Sequence, residues 1–127
     1  DANRLGILAA VLTKRAGLKL ADQDIYVSII GGLRITEPAI DLALILAIAS
    51  ASYGTVIPSS LVSFGEVGLA GEIRSVSLME ARVREARKLG FKHILAPASF
   101  KGAGVVGLAD IAAALQRLKA ASPRSKK

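Results

Sequence analysis

The segment from Ile25 to Ser52 constrains the fold more than any other. It reads I-Y-V-S-I-I, then G-G-L-R-I-T-E-P, then A-I-D-L-A-L-I-L-A-I-A-S. Ile25, Val27 and Ile29 alternate with Tyr26 and Ser28, the period-two pattern of a strand with one buried face. Gly31 and Gly32 allow the backbone to turn or to approach another group closely. Thr36 is placed to cap a helix whose first turn accommodates Pro38. Every side chain from Leu42 to Ala49 is apolar, so that helix must be covered on most of its sides. A glycine loop between a buried strand and a buried helix N-terminus can hold a reacting group or an anion. It can equally be a close-packed connection, and spacing alone leaves both readings open.

The chain's 127 residues suffice for one domain with a substantial core. Hydrophobic residues make up 52% and aromatics only 4%, so that core must be aliphatic. The apolar run at 42–49 falls far short of the ~20 residues of a membrane span, and no secretory signal pattern opens the chain. The absence of cysteine excludes disulfides, thiol nucleophiles and thiolate metal sites, and fits a reducing compartment. The first residue is Asp1 rather than Met, from which a longer parent is expected. Net charge is +7. Arg124, Lys126 and Lys127 belong to a basic tail over 120–127 that is expected to be disordered. The domain at 1–119 therefore retains +4 of the +7, a bias that permits a polyanionic partner.

Leu5, Leu8, Leu12 and Ala16 form an apolar stripe that predicts a helix from Asn3 to Ala16, stopped by Gly17. L-K-L-A-D-Q-D reads as a polar connection. After the central helix, Gly54 and Pro58 break the chain. L-V-S-F-G-E-V reads as one strand and E-I-R-S-V as its partner across a Gly68–Gly71 hairpin. Ser77 is expected to cap a helix with Met79, Val83 and Ala86 inside, and Glu80/Arg84 and Glu85/Lys88 paired outside. Gly90 ends it. H-I-L-A up to Pro97 and V-V are short strands, and Ala109–Lys119 is an amphipathic helix through Ile111, Leu115 and Leu118. The sum is a mixed α/β (α+β) domain.

Chemistry-bearing motifs are sparse. The single histidine, His93, lies in a strand and reads as structural. There is no metal-ligand spacing, no Walker A and no G-x-G-x-x-G. Tyr26, Tyr53, Phe64, Phe91 and Phe100 are too scattered to form a stacking platform for single strands.

The order strand, glycine loop, Pro38, apolar helix, then F-G-E-V-G-L-A-G-E-I-R, helix and K-L-G-F-K-H-I-L-A-P resembles the Lon proteolytic domain, a mixed sheet packed with helices. In that family a P-S-A-G stretch carries a nucleophilic serine, and a lysine near the start of the following helix serves as its base. Here Pro38-Ala39-Ile40-Asp41 stands at P-S-A-G, and Glu80 stands where the lysine belongs. Ala39 has no oxygen to attack with. The resemblance therefore implies a domain without peptidase catalysis; a peptidase with an altered dyad is the competing enzyme reading.

D-A-N-R-L, A-V-L-T-K-R-A-G-L, G-G-L-R-I-T-E-P-A-I-D-L-A, G-E-V-G-L-A-G-E-I-R and K-L-G-F-K are closer still to the C-terminal Lon-like domain of the bacterial RadA (Sms) family of DNA-repair proteins. Members carry a zinc finger and a RecA-like ATPase core ahead of this domain, so ATP, Mg and Zn are implied for those parts and no cofactor for this one. The family implies a hexameric, DNA-stimulated ATPase of the bacterial cytoplasm that drives branch migration, with a RecA-type recombinase as a possible partner. This domain is implied to be its DNA-binding and assembly module. Arg4, Arg34 and Arg74 each fall in a matching block and are candidate phosphate contacts, which Lys14 and Arg15 could extend. A purely structural ring is the alternative.

Overall fold

The computed structural model describes residues 2–20 and 37–121. The expected strand at 25–30, Gly31–Gly32, Arg34, Thr36 and the segment from 122 onward lie outside the described residues. The elements are α1 (Ala2–Ala16), a 3-10 turn (Pro38–Ile40) running into α2 (Asp41–Tyr53), β1 (Leu61–Ser63), β2 (Glu66–Val67), β3 (Ile73–Arg74), α3 (Met79–Lys88), β4 (His93–Pro97), β5 (Val105–Leu108) and α4 (Ile111–Ala121). The last helix continues two residues past the expected domain edge.

Strands β1, β4 and β5 form a parallel sheet in the order β1-β4-β5. Successive side chains of a strand face opposite ways, and two cores result. Leu61, Leu95, Val106 and Leu108 face α1, α2 and α4, where Leu8, Leu12, Leu42, Ile45, Ile111 and Leu118 are buried. Val62, Ile94, Ala96 and Val105 face α3, meeting Met79, Val83 and Ala86. The domain is thus three layers, with the sheet between one helix and three. Helix α2 is buried almost all round, as its uninterrupted apolar run requires; Ala47 alone of that run is exposed.

Four local expectations change. L-V-S-F-G-E-V is not one strand. It breaks at Phe64–Gly65, where the Gly65 amide donates to the Ala39 carbonyl at 3.1 Å and the Leu42 amide donates to the Gly65 carbonyl at 3.0 Å. The chain thereby leaves the parallel sheet, clasps the start of α2, and enters a separate antiparallel ladder in which Glu66 opposes Arg74 and Val67 opposes Ile73. A Cβ at Gly65 would lie 2.8 Å from Ile73 Cγ2, so only glycine fits this crossing. Ser77 does not cap α3: the cap position is Leu78 in the left-handed region (φ 60), without a side-chain cap. Neither Glu80/Arg84 nor Glu85/Lys88 closes an ion pair; those among the described residues are Arg4–Asp41, Arg74–Glu72 and Arg82–Glu37. Leu18 and Leu20, assigned to a polar connection, are buried. The expected hairpin forms, with the Gly68 amide bonded to the Glu72 carbonyl at 2.9 Å.

Parallel neighbours need a return path of about a dozen residues or more, usually a helix. The connection from β4 to β5 is only the segment 98–104. It runs back on the α3 side, where the Phe100 ring packs against the second core. Gly107 lets it pass: a Cβ there would lie 3.1 Å from the Ala98 Cα. The Ala98 amide donates to the Leu108 carbonyl at 2.9 Å, which closes the return.

Candidate functional site

Asp41 is the one buried charged side chain among the described residues, 1% exposed. A carboxylate taken from water must be matched by charge and hydrogen bonds. Arg4 supplies both: its Nε donates to Oδ1 at 3.1 Å and its Nη2 donates to Oδ2. The Val67 amide donates to Oδ2 at 3.0 Å, and Arg4 Nη2 reaches the Val67 carbonyl at 3.4 Å. The fork of one arginine thus ties α1, α2 and β2 together. The Asp41 hydrogen bond, together with the charges of Asp41 and Glu66, raises the Arg4 pKa above its ordinary value; partial burial opposes this without reversing it.

This arrangement commits Arg4 to the frame. Arg74 is exposed on β3, its Nε donating to Glu72 Oε2 at 2.9 Å. Lys14 and Arg15 are exposed at the C-terminal end of α1. The stem of Arg15 lies beside the hairpin, with its Cβ and Cγ 3.3 Å from where a Gly71 Cβ would stand. Arg4, Arg74 and Arg15 therefore all border the β2–β3 hairpin, although Glu66 and Glu72 lie among them. Arg34 lies outside the described residues.

Ala39 is buried and lines a cleft of about 380 Å³ together with Glu37, Ile40, Ala43, Ser63, Phe64 and Arg82. Glu80 does not line this cleft; it lines a separate groove on α3 with Arg84 and Arg87. The α3 side chain that enters is Arg82, which donates to the Ser77 carbonyl at 2.8 Å and pairs with Glu37 at 3.4 Å. Among the described residues the cleft is lined by one hydroxyl, Ser63, and by no amine. A guanidinium stays protonated and cannot serve as a base. Sequence reasoning missed Asp41, Ser63 and Arg82. Only Asp41 carried a signal, as a lone acid opening an otherwise apolar helix.

No group of three or more His, Cys, Asp or Glu among the described residues could hold a metal ion. No described helix is long and apolar enough to cross a membrane.

The chain matches the family described as "Subunit ChlI of Mg-chelatase" over residues 5–100. It is similar to the DNA repair protein RadA of Bacillus subtilis (strain 168), 47% identical over 123 residues, covering 91% of this chain and 27% of that protein. The DNA repair protein RadA of Escherichia coli (strain K12) is 50% identical over 99 residues, covering 78% and 22%. That of Haemophilus influenzae is 48% identical over 97 residues, covering 76% and 21%. The chain spans about a quarter of the length of these relatives.

Proposed function

Since the chain belongs to the ChlI family, as a Lon-like domain of the DNA repair protein RadA, we propose that it is a non-peptidolytic module that holds the DNA backbone for a RadA-type ATPase. The observation that carries the binding role is the exposed pair Lys14 and Arg15, the latter beside the hairpin, and neither with a carboxylate within ion-pair distance among the described residues. Two adjacent cations at a helix C-terminus also complement its dipole. Both are nonetheless solvent-facing and able to meet phosphates. Arg74 extends the contact on the hairpin; Arg34 is proposed as a further phosphate contact on its sequence block alone; Arg4 acts by holding the hairpin against α1. Without aromatic stacking the contact is to sugar–phosphate and independent of sequence.

The absence of a nucleophile at Ala39, and of an amine among the described residues lining its cleft, supports the non-peptidolytic reading. ATP hydrolysis, zinc and magnesium belong to the parts of a RadA-type parent ahead of this domain, which works in the bacterial cytoplasm beside a RecA-type recombinase. The test is DNA binding across a salt series. Each of Lys14→Gln, Arg15→Gln, Arg34→Gln and Arg74→Gln is expected to lower the log–log salt slope by about 0.7–0.9. Wild-type slopes in all four would remove this face as the DNA site.

An assembly role has its own supporting observation. Leu78 and Leu89 are 72% and 66% exposed at a groove of about 510 Å³ that also takes in Val62, Phe64 and Phe91. An apolar surface of this kind suits contact between copies, and a homo-hexamer is the assembly we propose for the parent. Leu78→Asp with Leu89→Asp is expected to shift the parent to smaller species in light scattering. An unchanged oligomer would reject this surface.

A further inference from the structure

We propose that the groove between α3 and the 98–104 return segment is a second sugar–phosphate contact, on the face of the sheet opposite Lys14 and Arg15. The proposal rests on the nucleic-acid reading above and extends it to a site outside the hairpin.

The groove has a volume of about 460 Å³. Arg84, Arg87 and Lys88 form one wall, and Phe100, Lys101 and Gly102 the other. Glu80, at the start of α3, is its one acid among the described residues. The ion pairs among the described residues engage Arg4, Arg74 and Arg82, and none of the groove's cations. Glu80 is one turn from Arg84 and still makes no pair with it. This groove therefore presents more uncompensated positive charge than the hairpin face, where Arg4 and Arg74 both face carboxylates.

The bland explanation is that Arg87 and Lys88 merely complement the C-terminal dipole of α3. It does not account for Lys101, which faces them from a different segment, or for Arg84, a full turn further from the helix end. Nor is the second wall a loose loop. Arg87 Nη2 donates to the Ala103 carbonyl, the Phe100 amide to the Pro97 carbonyl at 3.0 Å, and the Val105 amide to the Gly102 carbonyl at 3.2 Å. A Cβ at Gly102 would lie 2.8 Å from the Phe100 ring, so a glycine there lets the segment close over the aromatic. Lys101 is held between these two residues.

The ligand follows from the charge pattern. Arg84 and Lys88 are one turn apart, about 6 Å along the axis, with Lys101 across from them. Cations on both walls of an open trench suit a chain of repeated anions lying along it better than one isolated anion. Phe100 is half-buried against the second core, and one ring is no platform for successive stacked bases, so the contact reads backbone and not sequence. The trench takes one sugar–phosphate strand, either free or as one rail of a duplex. With the sheet between this trench and α1, one domain can engage two backbone segments at once.

The test is fluorescence anisotropy on the full chain with a labelled oligonucleotide, single-stranded in one arm and duplex in the other, across a salt series. Arg84→Gln with Lys101→Gln changes one cation on each wall. Lys19→Gln with Arg117→Gln removes the same charge elsewhere and serves as control. The groove pair is expected to lower the slope by about 1.4 on the single strand or about 1.8 on the duplex. The arm with the larger wild-type affinity identifies the source of the strand. Glu80→Gln is expected to tighten binding. Thermal melting checks that each variant is folded, and Lys88→Gln replaces Arg84→Gln if that one is not. A groove pair that behaves like the control overturns the proposal, since the cations then act only through net charge. A silent groove pair together with a weakened Lys14→Gln/Arg15→Gln variant removes the second contact and leaves the first. A wild-type chain that binds neither oligonucleotide removes both. Groove-dependent binding of poly-glutamate, with DNA binding unaffected, also overturns it in favour of an acidic protein partner.

Discussion

Replacing Arg4 by alanine strands the Asp41 carboxylate in the interior, 1% exposed, with only the Val67 amide to stabilise it. Breaking a buried pair from one side costs about 3–5 kcal/mol, because the remaining charge has lost its compensation. Arg4 keeps 28% of its side-chain surface and Asp41 keeps one hydrogen bond, so the lower figure applies, about 3 kcal/mol. For a domain of this size that is a fall in Tm of about 12 °C. Arg4→Lys keeps the charge but not the planar fork that meets both carboxylate oxygens; about 1–2 kcal/mol is expected. Asp41→Leu combined with Arg4→Met removes the charge and its compensation together. It should recover at least half of the loss, short of about 1 kcal/mol for the abandoned Val67 amide. Urea denaturation of the single and double variants gives the coupling energy directly. A double variant as unstable as the sum of the singles would refute the account, as would an Arg4→Ala loss below about 0.5 kcal/mol. The same series separates a framing role for Arg4 from a DNA contact. A framing arginine lowers DNA binding only in proportion to lost folded protein.

Ala39→Ser is expected to restore no peptide hydrolysis, since among the described residues Glu37 and Arg82 are the cleft's only titratable side chains and neither replaces an amine base; time-dependent cleavage of a fluorogenic peptide by the purified variant would reverse this. Gly65→Ala is expected to destabilise by about 1–3 kcal/mol, because its Cβ would press on Ile73 Cγ2, part of the buried side chain of β3; a Tm within error of wild type would mean the crossing can relax. Glu72 is held below the usual 4.5 by its own backbone amide and then by Arg74. A depressed acid stabilises the fold above its unfolded pKa, and that contribution fades as pH falls through the folded value. The stability gap between wild type and Glu72→Gln should therefore be constant above about pH 5.5 and shrink below it, as read from melting curves across pH.

Much of the fold was legible because its signals are local. The apolar stripe of α1, the uninterrupted run in α2, the glycine-bounded hairpin and the inner face of α3 each appear as a period or a breaker within a short window. The break at Gly65 was hidden because its cause is distant: Ala39 and Leu42 take the backbone bonds that a continuous strand would have used. Leu78 was missed for a related reason. Nothing in L-M-E-A-R advertises a left-handed leucine, and Ser77 offered the more familiar cap. At the site, the loss of a nucleophile at Ala39 could be read directly from one letter. The commitment of Arg4 could not. Its partner lies at the start of another helix, and a lone arginine near a chain start reads as surface until Asp41 is seen beneath it.

Of the described elements helix α4 leaves the ribosome after all the others, and its order of arrival has a cost in synthesis. Ile111, Leu115 and Leu118 fill the space against α1 and α2, which were made well before them. The parallel strands wait as well: Leu61 pairs with His93, and Ile94 with Val105, so no strand of that sheet finds its neighbour until much of the chain has emerged. Until then the nascent chain carries a naked aliphatic surface that only its own C-terminal helix fits. A stop codon ahead of Ile111 would release a polypeptide with its secondary structure encoded and its core open, a species for chaperones and proteases and not a smaller version of the domain.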